Sequence, residues 1–139
     1  MANYTEINGL LNERLADLSG LPTWSRENQY IEPEVDELYF ETQLVPADSE
    51  NPFLGQDVPT YESGTFIVKV SPVTGNGWGY AYEWVDTIVE QFKRGTTLTN
   101  SAEGIIVRVR KAYPVPGFYG DNGRYKIPIH IEYFSYVDI

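Results

Sequence analysis

The chain ends in a run from Arg124 to about Tyr136 in which Tyr125, Ile127, Ile129, Ile131 and Tyr133 alternate with Lys126, Pro128, His130 and Glu132. A period of two over that length puts every large apolar residue on one face. The segment therefore reads as a long half-buried strand of an antiparallel sheet, which obliges the rest of the chain to supply neighbouring strands and a covering layer. Pro128 has no N–H to give to a ladder, so an edge or a bulge is expected at that point.

Two segments have the period of a cover. Between Asn3 and Leu18, the residues Ile7, Leu10, Leu11, Leu15 and Leu18 fall on one helical stripe. Asn3 and Glu6 stand at capping-box spacing, and Gly20 with Pro22 supplies a stop. From Tyr80 to Lys93, Ala81, Trp84, Val85, Ile88 and Phe92 share a second stripe. Lys93, Arg94 and Gly95 suit its C-terminal end, where cations meet the negative pole of the helix.

The remaining strands are shorter. Trp24–Glu27 reads as a short one, followed by an irregular acidic connection to Asp36. Glu37–Val45 alternates with Leu38, Phe40, Thr42 and Leu44 on one face. Tyr61–Val70 presents Phe66, Val68 and Val70 inward, and Ile105–Lys111 presents Ile105, Val107 and Val109. A short strand at Thr96–Leu98 precedes a turn through Asn100–Gly104. Pro46–Pro59 and Tyr113–Gly123 are rich in proline and glycine and read as loops, the first about fourteen residues long, a length often tied to function. The chain is thus expected to be one α+β domain over residues 1–139: a mostly antiparallel sheet with two helices packed on one face, long loops and a hairpin.

Composition removes several classes of function. With 139 residues the chain suits a single core that buries roughly 70% of its unfolded surface. The absence of cysteine excludes disulfides and thiolate chemistry. No run of eighteen apolar residues suggests a membrane span, and the first residues lack the pattern of a signal peptide, so cytoplasmic synthesis is expected. Twenty acidic residues against ten basic give a formal charge of −10, so a basic face gripping DNA is not expected.

Catalytic motifs are absent. His130 is the only histidine and has no nucleophile-and-acid set around it in the sequence; inside an alternating strand it reads as a surface or satisfied residue. Glu32, Glu34, Asp36 and Glu37 read as a solvated acidic run. Asp48, Glu50 and Asp57 lack the spacing of a calcium loop, and Gly75-x-Gly77-x-Gly79 lacks that of a phosphate loop. No enzyme activity, metal or cofactor is expected. Phe40, Phe66, Trp84 and Tyr133 are assigned to the core. Trp78, Tyr80, Tyr82, Phe118 and Tyr119 lie beside glycine-rich turns, where exposed rings would favour contacts with other molecules.

The order and punctuation of these segments resemble the tail terminator-like proteins of tailed bacteriophages. The resemblance covers nearly the whole chain. It rests on Leu10-Leu11-Asn12-x-Arg14-Leu15-x-x-Leu18-x-Gly20-Leu21-Pro22, on Trp24 with Glu27-Asn28, and on Phe92-x-Arg94-Gly95-Thr96-x-Leu98. Val107-x-Val109 and Tyr125-x-Ile127-Pro128-Ile129 complete it. The acidic stretches Glu32–Glu37 and Pro46–Pro59 depart from the pattern.

The resemblance implies a structural virion protein of the tail and neck, made in the host cytoplasm. Such a protein caps the tail tube as a homohexameric ring, ends tube polymerisation and forms the surface that joins the head. Its implied partners are the tail tube protein below, a head–tail connector or stopper protein above, and genomic DNA passing through the lumen without specific binding; no membrane is involved. Loop placement nominates Asp48, Glu50, Phe53, Asp57, Trp78, Phe118 and Tyr119 as interface residues. Two readings from other classes compete with it. An acidic DNA-mimic inhibitor predicts salt-sensitive binding to a basic DNA-handling enzyme. A small carbohydrate-binding module predicts fluorescence changes with oligosaccharides at Trp78 and nearby tyrosines.

Overall fold

In the computed structural model, residues 4–18, 23–25, 38–47, 61–72, 79–100, 104–120 and 124–137 are described. The first helix, α1 (Tyr4–Ala16), buries Ile7, Leu11 and Leu15, the stripe expected from their spacing, with Leu10 and Leu18 packed at its margin. Asn3, the expected cap, lies outside the described residues. After β1 (Thr23–Ser25) come β2 (Tyr39–Pro46) and β3 (Tyr61–Ser71), an antiparallel pair in register from Tyr39 with Ser71 to Pro46 with Gly64. The second helix, α2 (Gly79–Gln91), buries Ala81, Val85 and Ile88, and Phe92 follows just past its end. The chain then forms β4 (Thr97–Asn100), β5 (Ile105–Pro114), β6 (Phe118–Tyr119) and β7 (Tyr125–Val137).

The strands lie in the order β1-β2-β3-β7-β5-β4, with β1 parallel to β2 and all other neighbours antiparallel. The C-terminal strand is therefore the central one, flanked by β3 and β5. Its inward residues Ile127, Ile129, Ile131 and Tyr133 meet Val70, Val68, Phe66 and Gly64 of β3. Both helices cover this face, where burying each aliphatic or aromatic side chain contributes about 1.5–3 kcal/mol. The α+β architecture expected from the sequence is the one observed.

Polar contacts fix the helices on the sheet. The buried Asn12 amide donates to the Asn8 carbonyl at 2.8 Å and accepts from the Thr42 hydroxyl of β2 at 3.1 Å. Arg14 Nε donates to the Gln91 carbonyl at 3.2 Å, and Gln91 Nε2 donates to the Arg14 carbonyl at 2.9 Å. Each helix thus satisfies a C-terminal carbonyl that the other's ladder leaves open. The second helix ends two residues before the expected Lys93, because the chain turns at Gly95 (φ +92°) with Thr96 N–H donating to the Lys93 carbonyl. The segment expected to be a loop from Tyr113 contains the end of β5 and all of β6.

Pro128 marks a local edge inside a central strand. Its carbonyl accepts from Val115 N–H at 2.9 Å, just where β5 has ended at Pro114. The next pairs along the strand, Lys126 with Phe118 and Tyr125 with Tyr119, belong to β6. The missing N–H therefore falls in the gap between two partners, and the sheet's bulge lies elsewhere, at Arg110 between Val109 and Lys111.

Tyr133 closes the core at one end, 1% exposed, and its hydroxyl has no hydrogen-bond partner among the described residues. Burial, with the Glu62 carboxylate and Tyr4 adding to it, pushes its phenol up to about 12 from the ordinary 10.0. The folded state thus holds this proton where the unfolded chain has released it, so stability contributed below pH ~10 is lost as the pH rises toward ~12. Tyr133→Phe is expected to flatten the stability profile across that interval while leaving stability at pH 7 unchanged or higher. Urea midpoints at pH 8, 10 and 11.5 would show it, and a parallel decline in both proteins would refute it.

Candidate interaction surface

Opposite the helices, the sheet presents a second face that no described element covers. The odd-numbered residues of β2 and β3 and the even-numbered residues of β7 point to it. The bulge keeps Val109 and Ala112 on the core side while turning both Arg110 and Lys111 outward. A cation or carboxylate thus stands beside almost every aromatic ring on this face.

At one end Lys126 Nζ meets Glu41 Oε1 at 2.8 Å, and the Arg124 guanidinium lies 4.8 Å from the Tyr39 ring while Nη2 donates to the Pro72 carbonyl at 2.7 Å. Lys69 Nζ sits 5.9 Å from the Phe118 ring. Toward the other end, Lys111 Nζ lies 5.0 Å from the Tyr113 ring and 3.5 Å from Glu132 Oε2, while Arg110 covers Phe134 at 5.2 Å. Phe134 in turn stacks on Tyr136 at 6.4 Å. A hydrogen bond with Glu132 raises the Tyr113 phenol above its ordinary value, with burial and the carboxylate's charge adding to it. The His130 ring lies tilted against Tyr113 at 5.8 Å. Cations held over ring faces in this way gain about 0.5–1 kcal/mol each at exposed sites.

Of the nominated interface residues, Asp48, Glu50, Phe53, Asp57 and Trp78 lie outside the described residues. Phe118 and Tyr119 form β6 at the rim of the open face, 41% and 75% exposed. Tyr119 rests edge-on against Tyr125 at 5.2 Å. Gly117 precedes them because any side chain there would run into the Tyr125 ring. Tyr82 packs half-buried against the core, and so does Trp84, edge-on to Phe40 at 5.3 Å. Among the described residues no group of three or more metal-ligating side chains gathers, and none of the described helices is long and apolar enough to cross a membrane.

The charges are sorted by face. Among the described residues, Lys69, Arg108, Arg110, Lys111 and Lys126 stand on the open face of the sheet, with the buried Arg124 at its border, against Glu41 and Glu132. The helical side carries Glu6, Glu13, Asp17, Glu83, Asp86 and Glu90, against Arg14, Lys93 and Arg94. A net charge sums over the whole sequence and says nothing of how signs are placed. The described residues hold nine acidic and nine basic side chains, so the entire excess of −10 belongs to the remaining stretches, where Arg26 is the one cation among eleven carboxylates. Alternation reveals which residues of one strand share a face. It does not reveal that Arg110 meets Phe134 or Lys69 meets Phe118, because those pairs depend on strand order.

Comparison with known proteins adds to this geometry. The family model described as phage tail terminator protein matches residues 6–133. No curated protein matches the sequence. Five chains of solved structures match. One of them, which bears no functional name, superposes with a TM-score of 0.72 at 21% identity, over 100% of this chain and 98% of its own length, a likeness of fold.

Proposed function

The chain belongs to the phage tail terminator family, and from that premise we propose that it caps the tail tube as a hexameric ring, ends tube polymerisation and offers the joining surface for the head. Membership itself makes the protein a structural component of the phage tail and of the virion. The observation that carries the finer reading is the family match from residue 6 to 133, which spans most of α1, all of α2 and most of the strands. The two unlike faces of the sandwich support it. A protein that bridges a tube and a neck needs different surfaces and a repeating contact between copies, and none of these tasks requires a reacting group.

The proposed partners are six copies of the chain, the tube protein below, a connector or stopper protein above, and DNA passing through an open centre. Carboxylates are proposed to face that passage, where they would repel phosphate; the motive is the formal charge of −10. Assembly in the host cytoplasm completes the reading. Light scattering across concentration, with negative-stain images of the same samples alone and with tube protein, tests it. The expected outcome is six-fold rings with an open centre and tubes that cease to lengthen when the protein is added. Tubes that grow unchanged in its presence would overturn it.

A further inference from the structure

The open basic face of the sheet and the acidic outer side of the helices lie on opposite sides of one two-layer domain. They cannot meet within a single copy. Glu83, Asp86 and Glu90 stand at i, i+3 and i+7 on α2, exposed along one stripe, and Glu13 and Asp17 are exposed near the end of α1. The Arg14–Gln91 exchange joins the C-terminal ends of the two helices, which brings these carboxylates into one field. On the sheet, Arg108, Arg110 and Lys111 form an exposed cationic row on β5.

We propose that the open sheet face binds the acidic helical side of a second copy of this chain, a head-to-tail contact held by Arg108, Arg110 and Lys111 against Glu83, Asp86 and Glu90. The proposal rests on the reading that copies of the chain assemble, and it names the surfaces they use. Charge complementarity selects the occupant: each copy carries both halves of the contact. A contact between two different faces is heterologous, and it closes into a ring when its rotation allows.

Nucleic acid fits this face less well. Phe134 is already covered by Arg110 and Tyr113 by Lys111, so these two rings do not offer a stacking platform for bases. The whole chain's charge of −10 would also repel phosphate at a distance.

Two charge-reversed variants give a test that a merely damaged fold cannot imitate. One carries Arg108→Glu and Arg110→Glu, the other Glu83→Lys and Asp86→Lys, with folding of each checked by circular dichroism. Alone, each places like charges across the contact and is expected to self-associate at least about tenfold more weakly than the natural chain, since such juxtaposition costs more than the ~1.4 kcal/mol that a tenfold change represents. Mixed in equal amounts they restore opposite signs at every contact, and sedimentation velocity should recover assembly to within about twofold of the natural chain.

Variants that each assemble as the natural chain does would overturn the proposed faces while leaving the ring standing. A mixture that stays dissociated would do the same. A natural chain that forms no assembly, with or without tube protein, would overturn the contact and the ring together. If instead either variant changes retention on double-stranded DNA while self-association is unaltered, the face serves nucleic acid and the proposal fails.

Discussion

Phe66→Ala is expected to lower the free energy of unfolding by about 3–5 kcal/mol, a large part of the 5–15 kcal/mol that holds an ordinary domain folded. Phe66 is fully buried on β3, between Leu44 of β2 and Ile131 of β7 in register, with the Phe92 ring beyond α2 at 6.2 Å. Its ring therefore fills space bounded by two ladders and a helix. The strands cannot close over the vacancy, because their spacing of roughly 4.8 Å is fixed by hydrogen bonds. Nor can the first helix drop toward the sheet without distorting the Asn12–Thr42 hydrogen bond. The loss would appear in urea as a lower midpoint with an unchanged slope. A shift of less than about 1 kcal/mol would mean that the layers repack more freely than this geometry allows.

Gly64→Ala should be the most damaging substitution of a small residue. A Cβ there would lie 2.7 Å from the Tyr133 hydroxyl, 2.7 Å from the Val45 carbonyl oxygen and 2.9 Å from Pro46 Cα. Two of the three are backbone atoms of the neighbouring strand, so the clash cannot be relieved by turning a side chain. Overpacking of this kind costs roughly 1–3 kcal/mol, and the rigidity of the β2–β3 pair places this site at the upper end. Combining it with Tyr133→Phe separates the causes. The double variant should recover only the part due to the hydroxyl and remain well below the parent in thermal melts. Full recovery would show that the backbone yields and that Tyr133 alone made the site tight.

The elements were legible where one period ran long enough to dominate. Ile127, Ile129 and Ile131 announced the central strand, and Ile7, Leu11 and Leu15 announced the first helix, because burial on one face selects those spacings. Phe118–Tyr119 was hidden: two residues between glycines have no period, and they form a strand only because Tyr125 and Lys126 stand ready to pair with them. Pro128 showed the limits of local reasoning from the other side. Proline does forgo a ladder bond there, yet the strand is central, and only the gap between β5 and β6 reconciles the two. The interaction face was the least legible part. Its pairs join residues far apart in the chain, such as Lys69 with Phe118, and strand order is set by the packing of the whole sheet rather than by any window of sequence.

The sorting of charge also separates two properties that usually change together. The acidic isoelectric point near 4.4 is set by stretches outside the described residues, whose own acidic and basic side chains balance. Substitutions in those stretches that replace carboxylates would move the isoelectric point toward neutrality, and with it electrophoretic mobility and colloidal behaviour, while the described residues keep their nine acidic and nine basic side chains. A lineage of such proteins can therefore change its net charge while the sorting of charge between sheet face and helical side stays as it is.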